Sequence, residues 1–139
     1  MSLEENKQIV RRYQEIYNSN NLDALTEVVS EDLLTPRIMP GIPSGIEGAK
    51  ASHQIMLTGF PDYQTIIDDM FAEGDKVAAR ITMSGTHTGS FMGIPATGRR
   101  VEFTGMYIAR IENGRIVEHW GEEDAVGLLT QLGVMPKIG

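Results

Sequence analysis

The dipeptide Asn113-Gly114 lies between two β-rich runs, residues 99–111 and 115–121, and constrains the fold more than any other short stretch. Both central residues of a type I′ turn take positive φ, which asparagine and glycine tolerate best, so the pair predicts a tight hairpin. Beyond it the chain passes through Glu118-His119-Trp120 and Glu122-Glu123-Asp124 into an apolar-periodic run from Ala125 to Leu132, with Gly133 as a stop. The ionisable residues best suited to chemistry therefore gather where a last strand meets a last helix.

Upstream, Ser2 and Glu5 match a capping box, and Ile9, Val10, Tyr13, Ile16 and Tyr17 recur at helical spacing. Leu22, Leu25, Val28 and Val29 make the buried stripe of a short second helix. Residues 35–45 are too proline-rich for regular structure and read as a binding loop or lid. A third helix is expected over 47–57, ending at Gly59. The period then changes to that of strands, over 63–71 and 76–88, with a turn at Glu73-Gly74-Asp75 and a long connection at 89–98. Helices first, then an antiparallel meander, then a closing helix define an α+β domain, one unit over 1–139, with helices on one face of a curved sheet.

Composition removes several function classes. There is no cysteine, hence no disulfide, thiol nucleophile or thiolate metal site. The formal charge of −7 is spread along the chain, and the adjacent basic pairs, Arg11-Arg12 and Arg99-Arg100, are too few to track phosphates, so nucleic acid is not an expected partner. No apolar stretch reaches membrane-spanning length, and the charged N-terminus lacks a signal-peptide core, so a soluble cytoplasmic protein is expected. The three histidines show no i, i+4 pair or clustered ligand spacing, so no metal is expected. The glycines of 89–98 precede a strand rather than a helix, which argues against a phosphate loop.

Alternation splits each strand into two faces. One face carries Val77, Ala79, Ile81, Met83, Gly85 and His87, then Val101, Phe103, Gly105, Tyr107, Ala109 and Ile111, then Val117, His119 and Gly121. It is apolar and small, and is expected to look toward the helices and enclose an apolar pocket. The opposite face carries Arg80, Thr82, Ser84, Arg110 and Glu118 and meets water. Met106, Ile108 and Trp120 on that face point to a homodimer through the outer side of the sheet. Either Asp68 or Asp69 points inward.

Several spaced segments, Phe60-Pro61-Asp62, Glu73-Gly74-Asp75-Lys76-Val77, Gly85 to Gly89, Gly93 to Arg100 and Glu118-His119-Trp120 with Asp124 and Gln131-Leu132-Gly133, resemble the SnoaL-like polyketide cyclase or ester cyclase family. The likeness covers nearly the whole chain and implies the cone-shaped α+β fold of the NTF2-like superfamily. It implies an intramolecular aldol closure on a polyketide ester without cofactor or metal, with an aspartate at the end of the last strand as general acid/base. That aspartate aligns with Gly121. The family's histidine of the preceding strand aligns with Tyr107 and a glutamine with Gly105, whereas a second histidine is retained as His119.

The expected chemistry rests on His119, either a general acid/base on an inward strand face or a core histidine paired with backbone. Asp124 either reaches back to replace the missing aspartate or caps the last helix through the amide of Val126 or Gly127. Glu122 and Glu123 are solvated charges near a helix N-terminus, unless one turns inward, where an apolar wall raises its pKa; Glu122 is the candidate for that. Tyr107, His87, Phe103, Met83 and Phe60 are expected to line the substrate pocket. His53 is expected to serve helix packing. The expected function is a cofactor-free enzyme acting on a small apolar carbonyl compound. The alternative is a module that binds such a compound, or a partner, without turnover; an isomerase or hydrolase on the same cone is a third.

Overall fold

The computed structural model describes residues 2–36 and 40–135. Helix α1 (Leu3–Ser19) begins on the expected box: the Glu5 amide donates to Ser2 Oγ at 3.1 Å, and the Ser2 amide donates to Glu5 Oε1 at 3.2 Å. A cap contributes about 1 kcal/mol, whereas each fully buried large apolar side chain contributes roughly 1.5–3 kcal/mol. Burial of Val10, Tyr13 and Ile16 against the sheet is thus what holds α1. At its end Asn18 acts as a substitute strand, donating to the Thr65 carbonyl at 2.8 Å and accepting from the Thr65 amide at 2.9 Å.

The second helix is shorter than expected. A 3-10 turn, Leu22–Glu27, ends at Val28, and Val29 opens strand β1 (Val29–Leu34). Helix α2 (Gly45–Gly59) follows a loop of which residues 37–39 lie outside the described residues. The meander is as expected, with β2 (Gln64–Glu73), β3 (Lys76–Thr86), β4 (Arg100–Glu112) and β5 (Arg115–Glu123), closed by α3 (Ala125–Gln131). The sheet order is β1-β5-β4-β3-β2, antiparallel except for β1, which runs parallel to β5 at the edge. Asn113 and Gly114 take φ of 51° and 78°, as a type I′ turn requires.

Two bulges correct the assignment of faces. Ile111 pairs with Ile116 and Arg110 with Glu118, so Val117 is the extra residue and Ile116 takes the inward position, fully buried. In β2 the register slips between Ile67 and Asp69. Neither aspartate enters the core: Asp69 pairs with Arg80 at 2.8 Å, and Asp68 accepts from Thr82 Oγ1 at 2.6 Å. Elsewhere the alternation holds, with Val77, Ala79, Met83, Val101, Phe103, Tyr107 and Ala109 all buried against the helices.

Candidate functional site

The concave face of the sheet, α1 and α2 enclose a cavity of about 580 Å³. Its walls include Tyr13, Tyr17, His53, Met83, Tyr107 and His119, and Pro36, Ile42 and Pro43 before α2 and Phe91 and Met92 of the 87–99 connection also line it. This is an apolar concavity with few convergent polar groups, the usual form of a small-molecule site.

His119 stands on β5 opposite Ala109, half-buried, with its ring stacked on Tyr107 at 4.8 Å between centroids and 5.9 Å from Tyr13. Burial disfavours the imidazolium and pushes the pKa down to about 4, a hydrogen bond with its own backbone opposing in small part. At neutral pH the ring is uncharged and a weak base, better suited to hold an oxygen through an N–H than to take a proton from carbon. The Cβ that Gly121 lacks would lie 3.4 Å from His119 Cε1. The imidazole thus leans along β5 over the glycine that aligns with the family's aspartate.

In the sequence Glu123 reads as a solvated charge, with Glu122 the preferred candidate to turn inward. Strand β5 does not stop at Gly121: Glu123 pairs with Gly105, and the Asp124 amide donates to the Thr104 carbonyl at 2.9 Å. The alternation 119, 121, 123 therefore continues and puts Glu123 on the inward face at the cavity. Its Cγ would sit 3.4 Å from a Cβ on Gly105, so glycine there makes room for it. Desolvation raises the carboxyl pKa, even though the residue is exposed by area. The two fit together because that area opens in part onto the cavity rather than bulk water. Across the cavity Tyr63 is pushed up to about 12, chiefly by burial, with the Glu123 charge adding to it. Glu122 also borders the cavity, but it pairs with Met106 and belongs to the outer face with Trp120.

Other expected site residues lie elsewhere or act differently. Tyr107 lines the cavity as expected; its hydroxyl donates to Gln14 Oε1 at 3.1 Å and its ring braces His119. Asp124 caps α3, accepting from the Gly127 amide at 2.8 Å, and is not a wall residue. His87 is fully buried and accepts at Nδ1 from the Thr97 amide at 3.2 Å; it stacks on Phe60, 5.2 Å away, outside the cavity. Phe60 fills the space left by Gly85, where a Cβ would come within 2.9 Å of it. Phe103 is core, and neither it nor Phe60 lines the cavity, whereas Met83 does. His53 packs as expected, its Nε2 3.1 Å from Asn20 Oδ1, though it also forms part of the wall. Among the described residues no three His, Asp or Glu side chains are grouped to hold a metal ion.

A cone of this kind, with an apolar cavity bordered by its last strand, defines a class of small-molecule enzymes and binders. Within it the chain belongs to the SnoaL-like polyketide cyclase family, whose profile matches residues 7–132. It is 30% identical over 128 residues to the aklanonic acid methyl ester cyclase DauD of Streptomyces sp. (strain C5), covering 90% of this chain and 80% of that protein. The DnrD enzyme of the same description from Streptomyces peucetius is also 30% identical, covering 90% of this chain and 88% of its own. The structure of TsrD from Streptomyces laurentii superimposes with a TM-score of 0.88 at 32% identity, over 97% of this chain and 99% of that one. No helix among the described residues is long and apolar enough to cross a membrane.

Proposed function

We propose that this chain closes a ring on a flat polyketide ester by intramolecular aldol addition, with Glu123 as its acid/base and His119 as the donor that holds the enolate oxygen. The observation that carries the reading is the inward carboxylate of Glu123, two residues beyond the glycine aligned with the family's aspartate and on the same face. A carboxylate of raised basicity takes the proton from the carbon beside a carbonyl. The neutral His119 N–H holds the enolate oxygen. The enolate carbon then adds to a second carbonyl of the same molecule, forming the carbon–carbon bond, and the new alkoxide takes the proton back from Glu123. Substrate and product are isomers.

Two relatives are named for aklanonic acid methyl ester, so that compound is the first substrate to try. We expect catalytic conversion to an isomer of equal mass, separated by liquid chromatography and followed by mass spectrometry. An ester returned unchanged from stoichiometric protein would favour the non-catalytic binding module instead.

The second part of the proposal is a homodimer through the outer sheet face. Phe71, Ala78, Ile108 and Trp120 are successive partners across β2, β3, β4 and β5, forming one apolar row. Phe71 is 70% and Ile108 42% exposed. A row of this kind meets its own copy about a two-fold axis without a second complementary surface. Sedimentation velocity is expected to give a dimer for the wild type and a monomer for Phe71→Lys/Ile108→Lys; an unchanged monomeric wild type would overturn the dimer.

A further inference from the structure

The 87–99 connection ends in a two-residue turn, Phe91 to Ile94, closed by Phe91 N donating to Ile94 O at 3.0 Å and Ile94 N to Phe91 O at 2.8 Å. Met92 and Gly93 take φ of 47° and 82°, so the turn has the type I′ form, which favours asparagine, aspartate or glycine at both positions. A methionine with positive φ is an uncommon and unfavourable choice there. Burial in the core does not explain it, since Met92 is 61% exposed and a Cβ on the adjoining Gly93 would meet nothing within 4 Å. Its neighbour Phe91 is the anchor: 7% exposed, 5.3 Å from the Phe60 ring, and packed so tightly on Gly59 that a Cβ there would come within 2.7 Å. What Met92 does meet is the cavity, which it lines while remaining largely exposed.

We propose that Met92 selects substrate shape at the cavity wall, and that the unfavourable backbone of its turn persists because it delivers the thioether side chain there. The inference rests on the reading of this cavity as the site for a flat polyketide. Strained residues kept at binding sites are held by surroundings that over-determine them, and here Phe91 and the paired backbone of the turn do so. An unbranched thioether suits the task because it conforms to a planar ring system and makes favourable sulfur–aromatic contacts. Selectivity follows as a difference of affinities: a three-ring compound long enough to reach Met92 gains the contact and a two-ring compound does not.

The test uses two probes, the hydroxyanthraquinone alizarin and 1,4-naphthoquinone, titrated by quenching of Trp120, the single tryptophan and a residue bordering the cavity. Met92→Asn is expected to raise the melting temperature by about 3 °C through relief of the turn. It is also expected to weaken alizarin binding about fivefold to tenfold, with naphthoquinone binding little changed. Met92→Leu, which keeps both the apolar side chain and the strain, is expected to retain most of the affinity and none of the added stability. Equal alizarin affinity in Met92→Asn, a lowered melting temperature, or a wild type that alizarin does not quench would each overturn the proposal. Turnover is no part of this readout, so failure of the cyclase reading appears separately, as an unconverted ester.

Discussion

His119→Ala is expected to lower turnover of aklanonic acid methyl ester by about 10²- to 10⁴-fold, the range for loss of one positioned acid/base or oxyanion group. The effect should fall mainly on kcat, because the enolate oxygen that His119 holds exists only after proton transfer. His119→Gln, which offers an N–H at similar reach, should recover part of the loss; recovery equal to that of alanine would remove the hydrogen-bonding role. The variant also changes acid stability in a known direction. With the folded pKa held down to about 4 against an ordinary value of 6.5, the unfolded chain binds a proton that the folded chain refuses. Stability contributed by the neutral ring is thus complete above about pH 6.5 and is lost as pH falls toward 4, by up to roughly 3 kcal/mol. Urea melts of His119→Gln between pH 7 and 4 should lose that share of the acid sensitivity. His53, also lowered by burial, keeps its own share in both proteins.

Much of this architecture was legible from periodicity, and the places where it was not share one cause. Val29 and Leu33 are the buried residues of β1, four apart, a helical spacing that disguises a strand paired irregularly with β5. The bulge at Val117 exchanged inward and outward positions at the start of β5, which no local propensity signals. His119 was legible because alternation past the bulge restored its face. Glu123 was not: Gly121 reads as a strand end and Asp124 as a cap, so the two glutamates between them resemble a solvated run. What extends the strand is pairing with Gly105 and Thr104, residues almost twenty positions earlier in the chain. Tertiary pairing sets the strand face of each glutamate, Glu123 opposite Gly105 and Glu122 opposite Met106, while both border the cavity. The pocket walls failed for a related reason, since Gly85, read as empty space, is filled by Phe60 from the end of α2.

Glu123→Gln should separate activity from stability in opposite directions. As the proton-taking group, its loss is expected to reduce kcat by about 10²- to 10³-fold. Its folded pKa is raised by desolvation, so the native state binds the proton more tightly than the unfolded chain does. Such a group favours folding at pH below its unfolded value and loses that advantage as pH rises through its folded value, which leaves the ionised carboxylate opposing the fold at neutrality. Replacing it with an uncharged isostere is therefore expected to leave the melting temperature at pH 7 unchanged or higher, while activity falls. A residue kept for structure would show the reverse. The pH profile carries the same assignment: kcat/KM in the wild type should rise with pH on an acid limb to which the Glu123 carboxyl contributes and then level, because His119 is already neutral above about pH 6.5. Glu123→Asp should retain that limb at reduced rate, the carboxylate being withdrawn by one methylene, whereas Glu123→Gln should abolish its contribution. Activity within twofold of wild type in Glu123→Gln, with the acid limb intact, would assign proton transfer to another group and return Glu123 to the solvated edge of the strand.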